Sequence, residues 1–274
     1  MHIYNRTGLY LLMLILVGCA NYGDVRKYAN ESKKVLAYKE LNSVWVATDN
    51  RESRYLFGKD LKNSQKEGLQ RDEIGKEILK IHTTVVQYFI IMEQLTGDYS
   101  TPVDSSFKGM TEELKNSRSY GFNVSHVNAL AKISEILVNW AQKHKQHKAL
   151  KEYVTSSDPH LQLVLKGMKN ILRVYKGTLR NEKGRFRTLL VVKKDTAQDR
   201  IVAALINMEA ERRDAVYASY NNKIVSMEKL LDKIAKGHSA IVKSYNKVNS
   251  DEARKQLDAI VKDLIKVRLI META

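Results

Sequence analysis

Long stretches of apolar residues recurring every three or four positions, with almost no proline to interrupt them, constrain this chain more than any other feature. Ile74, Ile78, Ile81, Val85, Tyr88, Met92 and Leu95 step by alternating fours and threes, which sets them along one face of a helix. Val124, Val127, Leu130, Ile133, Leu137 and Trp140 repeat the pattern. So do Ile224, Leu231, Ile234, Ile241, Tyr245 and Val248, and then Leu257, Ile260, Leu264 and Val267. Pro102 and Pro159 are the two prolines among 274 residues. A helix with one apolar face must cover it with another element. The expectation is an all-α chain, an elongated multi-helix bundle of long amphipathic helices.

Breaks between helices are marked by composition. Thr96-Gly-Asp-Tyr-Ser-Thr-Pro-Val-Asp-Ser-Ser106 reads as a loop. Thr155-Ser-Ser-Asp-Pro159 reads as the end of one helix and the start of another, with Asp158 as N-cap and Pro159 in the first turn. Sub-boundaries are therefore expected near 97–108 and 155–159. Asn249-Ser-Asp-Glu252 opens a last helix in the same way. The stretch Val44–Phe57 places two short apolar runs around a polar centre, and a hairpin or a helix-loop-helix corner fits it equally. No repeat of 20–50 residues and no low-complexity tract stands out.

The first residues follow a different logic. Arg6 precedes an apolar run from Gly8 to Val17, and Gly18 and Cys19 come next, ahead of a polar chain from Asn21. A short positive region, an apolar core of about ten residues and a small residue at the cut is the layout of a secretory signal. The run is near half of the roughly 20 residues that a membrane-spanning helix needs. The Leu16-Val17-Gly18-Cys19 ending resembles the bacterial lipobox. That resemblance implies removal of residues 1–18, a mature domain over 19–274, and acyl chains on the Cys19 sulfur and often on its new amino group. Two or more chains anchor a protein durably. Ala20 stands where lipoproteins kept in the inner membrane often carry Asp, so in a Gram-negative cell the resemblance implies the outer membrane, facing the periplasm. Cys19 is the one cysteine, and its lipidation would leave no thiol for a disulfide or a catalytic nucleophile.

The formal net charge is +15, which speaks to partners and solubility rather than to fold. It is concentrated between Lys143 and Asp195, where fourteen Lys or Arg meet Glu152, Asp158, Glu182 and Asp195. Lys166, Lys169, Arg173, Lys176, Arg180, Lys183 and Arg187 alternate in steps of three and four. On a single helix they form one stripe about 30 Å long. Val164, Leu165, Met168, Ile171, Leu172, Tyr175 and Leu179 make the apolar side of the same segment. Gly167, Gly177 and Gly184 each cost it roughly 1 kcal/mol of helix propensity. Two readings stand side by side. One is a solvated face, or a face paired across helices with acids elsewhere. The other is a binding face for an anionic lipid, an acidic polysaccharide or an acidic protein. An export signal, with Tyr175 and Phe186 the sole aromatics between Lys166 and Arg187, argues against nucleic acid.

Other constellations carry less chemistry. His144 and His147 stand at i, i+3, but Lys143, Lys145, Lys148 and Lys151 around them would repel a divalent cation, so no metal site is expected. His82 reads as a helix-surface or core-edge residue, and His126, His160 and His238 show no partner by spacing. Glu209 and Arg213 have the spacing of a helix ion pair. Trp45, Trp140 and the tyrosines, Tyr217 and Tyr220 among them, read as core and interface anchors rather than a cofactor box. No metalloprotease, nucleophile-elbow or phosphate-loop motif occurs, so no catalytic residue and no cofactor is assigned. The expectation is a lipid-anchored envelope protein with a binding or scaffolding role. The alternative is an envelope enzyme acting on cell-wall polymer, its site dispersed over several helices.

Overall fold

The computed structural model describes residues 22–36, 39–97, 121–142, 148–246 and 250–273. Among them stand eight helices and no strand: α1 (Tyr22–Val35), α2 (Lys39–Val46), α3 (Thr48–Glu52), α4 (Gly58–Gln94), α5 (Val124–Gln142), α6 (Lys148–Asp195), α7 (Arg200–Asn246) and α8 (Ser250–Thr273). The apolar stripes meet in one core. Ile78, Ile81, Val85, Tyr88 and Met92 of α4 are buried with Leu130, Ile133 and Leu137 of α5, with Ile224, Leu231, Ile234 and Ile241 of α7, and with Leu257 and Leu264 of α8. Each such side chain contributes about 1.5–3 kcal/mol on burial. Val124 departs from its stripe; as the first residue of α5 it stays exposed. Val248, Cys19 with the lipobox, and His144 and His147 lie outside the described residues.

The two longest helices set the shape. α6 has 48 residues and α7 has 47, so each extends about 70 Å at 1.5 Å per residue. They form an antiparallel hairpin across the turn at 196–199, and the Asp199 carboxylate caps α7 by accepting the Ile201 N–H at 2.7 Å. Their register is visible in the pairs Arg187–Asp214, Lys169–Asp232 and Gln162–Ser239. α1 runs antiparallel to α4, with Arg26 on the Thr96 carbonyl and Lys33 on Glu93. It runs parallel to α8, with Arg254 on Asp24 and Arg268 on Glu31. Tyr22 at the start of α1 lies close enough to Tyr245 near the end of α7 to raise the phenol of the latter, after burial, above its ordinary pKa.

The stretch Val44–Phe57 is a helical corner. α2 ends at Val46, α3 follows after Ala47, and Gly58 opens α4 at φ +57°, a backbone value suited to glycine. Trp45 stacks on Tyr175 at 5.0 Å and donates to Thr178 Oγ1 at 3.0 Å, while Tyr175 donates to Asn42 Oδ1 at 2.7 Å. These contacts pin the corner to α6.

The expected break at Thr155–Pro159 is absent, because α6 runs through it with Pro159 inside. Proline removes one N–H donor and crowds the preceding turn, at a cost of about 3 kcal/mol. Tyr153, Val154 and Leu161 on either side are fully buried, and that packing outweighs the penalty. Asp158 caps nothing. Its carboxylate accepts Gln162 Nε2 at 3.0 Å and His238 Nδ1 at 2.7 Å.

Candidate functional site

α6 presents two opposite faces. Val164, Leu165, Met168, Ile171, Leu172, Tyr175 and Leu179 are buried, which turns the seven cations toward the seam with α7. Lys166, Arg173, Lys176, Arg180 and Arg187 are exposed there, and Lys169 and Lys183 are half-buried. The stripe is therefore real as a surface, and its charges divide into two groups. Lys169 binds Asp232 at 2.7 Å, Lys183 binds Asp214 at 3.1 Å, and Arg187 also binds Asp214. The hydrogen bond from Arg187 draws the Asp214 carboxyl below its ordinary pKa. Arg173 meets only the side-chain amide oxygen of Asn170, at 2.7 Å. Among the described residues no carboxylate pairs with Lys166, Arg173, Lys176 or Arg180.

Two grooves lie along this seam. One, of about 480 Å³, is bounded by Arg173, Lys176, Arg180 and Lys183 over Gly177, Leu179, Tyr217, Ala218 and Asn221. The other, of about 450 Å³, runs from Gln162 to Arg173 along Leu231 and Ala235, with Lys166 and Lys169 on its edge. Arg173 borders both. The first groove has no carboxylate in its lining, whereas Asp232 stands in the second.

Glu182, the acid that interrupts the stripe in sequence, points the other way. It is fully buried, takes a two-pronged bond from Arg51 at 2.8 and 2.7 Å, and accepts the Tyr217 hydroxyl at 3.0 Å. Glu52, equally buried, accepts Ser64 at 2.5 Å and pairs with Arg185. These contacts tie the α2–α4 corner to the hairpin. Spacing could not reveal them, since Arg51 and Glu182 stand far apart in the chain.

A second buried cluster joins α4, α6 and α7. Tyr88 contacts Ser157 at 2.6 Å and His238 Nε2 at 2.5 Å, and His238 reaches Asp158. Burial alone would raise the Asp158 carboxyl, but hydrogen bonds from His238 and Gln162 hold it below its ordinary value. Burial lowers the His238 imidazole, against the pull of Asp158. The order Ser–Tyr–His–Asp suggests proton chemistry, but Ser157, Tyr88 and His238 are each fully buried and engaged with one another. The Ser157 hydroxyl is also within 2.7 Å of the Tyr153 carbonyl.

The remaining sequence candidates fall into structural roles. His82 is buried in α4, and His126 closes a reciprocal cap with Asn123 at the start of α5. Glu209 pairs with Arg213 at 2.9 Å as its spacing requires, and with Arg212 at 2.7 Å. Trp140 and Tyr220 pack against the core, and Tyr217 belongs to it. No group of acidic or histidine side chains that could hold a metal occurs among the described residues. No helix among them is long and apolar enough to cross a membrane. No known family, no curated protein and no solved structure matches the chain.

Proposed function

We propose that the chain is a bacterial envelope lipoprotein, tethered to its membrane through acylated Cys19, with a binding rather than catalytic role. In this reading the cationic face of α6 engages an anionic envelope component or an acidic protein. The observation that carries it is the run Arg173, Lys176 and Arg180, exposed, without carboxylate partners, and bordering a groove free of acids. Lys169, Lys183 and Arg187 on the same face are, by contrast, neutralised by Asp232 and Asp214. The alternative, an enzyme acting on cell-wall polymer, needs a carboxylate in a cleft. Asp232 stands in the second groove but is bound to Lys169, and Glu52 and Glu182 are buried and committed to arginines.

Reversing Arg173, Lys176 and Arg180 to Glu tests the proposal. The wild-type chain is expected to be retained on vesicles rich in anionic phospholipid, with retention falling as salt rises. The triple variant should keep its helical circular dichroism and lose retention. Unchanged or salt-insensitive retention would sink the proposal.

A further inference from the structure

We propose that the groove bounded by Arg173, Lys176, Arg180 and Lys183 binds a single-chain anionic amphiphile. Its acid group meets the cations, and its chain lies along Gly177, Leu179, Tyr217 and Ala218. The inference rests on the anion-binding reading above and names the ligand class.

The lining joins two chemistries that a polyanion would not use together. Three cations without carboxylate partners suit a carboxylate or phosphate. The floor beneath them, apolar except for the Tyr217 hydroxyl and the side-chain amide of Asn221, suits a hydrocarbon chain. That hydroxyl is turned away, engaged by Glu182 at 3.0 Å. The volume of about 480 Å³ lies within the roughly 300–1,000 Å³ of small-molecule sites.

Gly177 points the same way. Gly167, Gly237, Gly68 and Gly75 are each crowded by a neighbouring side chain, so packing explains them. A Cβ at Gly177 would meet nothing within 4 Å. The helix thus carries a propensity penalty that no packing contact demands, at Gly184 outside the lining as well as at Gly177 within it, and a side chain at Gly177 would occupy part of the groove.

Position favours a single molecule over a bilayer surface. Asp24, five residues beyond Cys19, pairs with Arg254 at the start of α8, so with Cys19 acylated the tethered end of the bundle is the C-terminal end of α7, where α8 begins. Tyr217 stands 28 residues up that helix from Tyr245, about 40 Å away. Surface charge on the anchoring membrane is screened within about 8 Å.

The test is a fluorescence titration of the full chain with dansyl-labelled undecanoate. Saturable binding is expected, competed by unlabelled fatty acid but not by inorganic phosphate at equal concentration. The methyl ester of the probe should bind at least roughly tenfold more weakly. Gly177→Leu fills the groove and should weaken binding by a similar factor, with an unchanged or raised melting temperature. Ala218→Leu, from the facing helix, should do the same. Gly184→Leu, equally open but outside the lining, should bind as wild type. Absence of saturable binding, or full binding by both groove-filling variants, overturns the inference. If the probe fails while salt-sensitive vesicle retention persists and needs Arg173, Lys176 and Arg180, the ligand class is wrong and the anion-binding reading stands. If both fail, both fall.

Discussion

At the scale of single residues, the polar groups inside this bundle matter most for its response to acid. Burial lowers the His82 imidazole from an ordinary 6.5 to about 3, so it is neutral in the folded chain at neutral pH. The unfolded chain takes up the proton more readily. The contribution of His82 to stability is therefore complete above about pH 6.5 and is lost progressively as the pH falls toward 3. Each unit in that window is worth about 1.4 kcal/mol. His238 is lowered by burial in the same direction. Urea unfolding at pH 7 and pH 4.5 should show a loss of about 3 kcal/mol from His82, with more from His238. His82→Leu should flatten the dependence; an unchanged slope would place the acid response elsewhere.

At the scale of elements, α6 tests how far packing overrides local preference. The seven-cation stripe, three glycines and an internal proline all weaken it as an isolated helix. It is nonetheless continuous over 48 residues, because its apolar face is buried by several neighbouring helices at once. Pro159→Ala should relieve the penalty and raise stability by about 1–3 kcal/mol, read as a higher urea midpoint at unchanged slope. A lower midpoint would mean that the proline is needed by the packing of Ser157 and Asp158. Local chemistry alone predicts a break at Thr155–Pro159, and the burial of Tyr153, Val154 and Leu161 overrides it. By contrast, the stripes of α4, α5, α7 and α8 were legible, since a period of 3.6 is both the local signal and the packing requirement.

At the scale of the whole molecule, the α6–α7 hairpin is a mast about 70 Å long whose far turn stands opposite the end where α1 begins. Val191, Val192, Ile201, Val202, Leu205 and Met208 near that turn are exposed, beyond the reach of the shared core. With acyl chains at Cys19, the bundle would stand on its tether with the cationic seam partway up. Mass spectrometry of the N-terminal peptide from the native cell should find it starting at acylated Cys19. An intact Met1 would remove the tether and reopen partners away from the envelope.

Much of this protein was written in one dimension. Periodicity set the helical class and which residues enter the core, because a helix places i, i+3 and i+4 on one side regardless of its neighbours. The cationic stripe was legible for the same reason. Only the tertiary structure decided which of those cations are neutralised, since Asp214 and Asp232 come from the facing helix. It also decided that Glu182 turns inward to Arg51, and that His238 meets Asp158 and Tyr88. Such pairings depend on the register between helices, which is settled by packing summed over tens of residues and leaves no local mark in the chain.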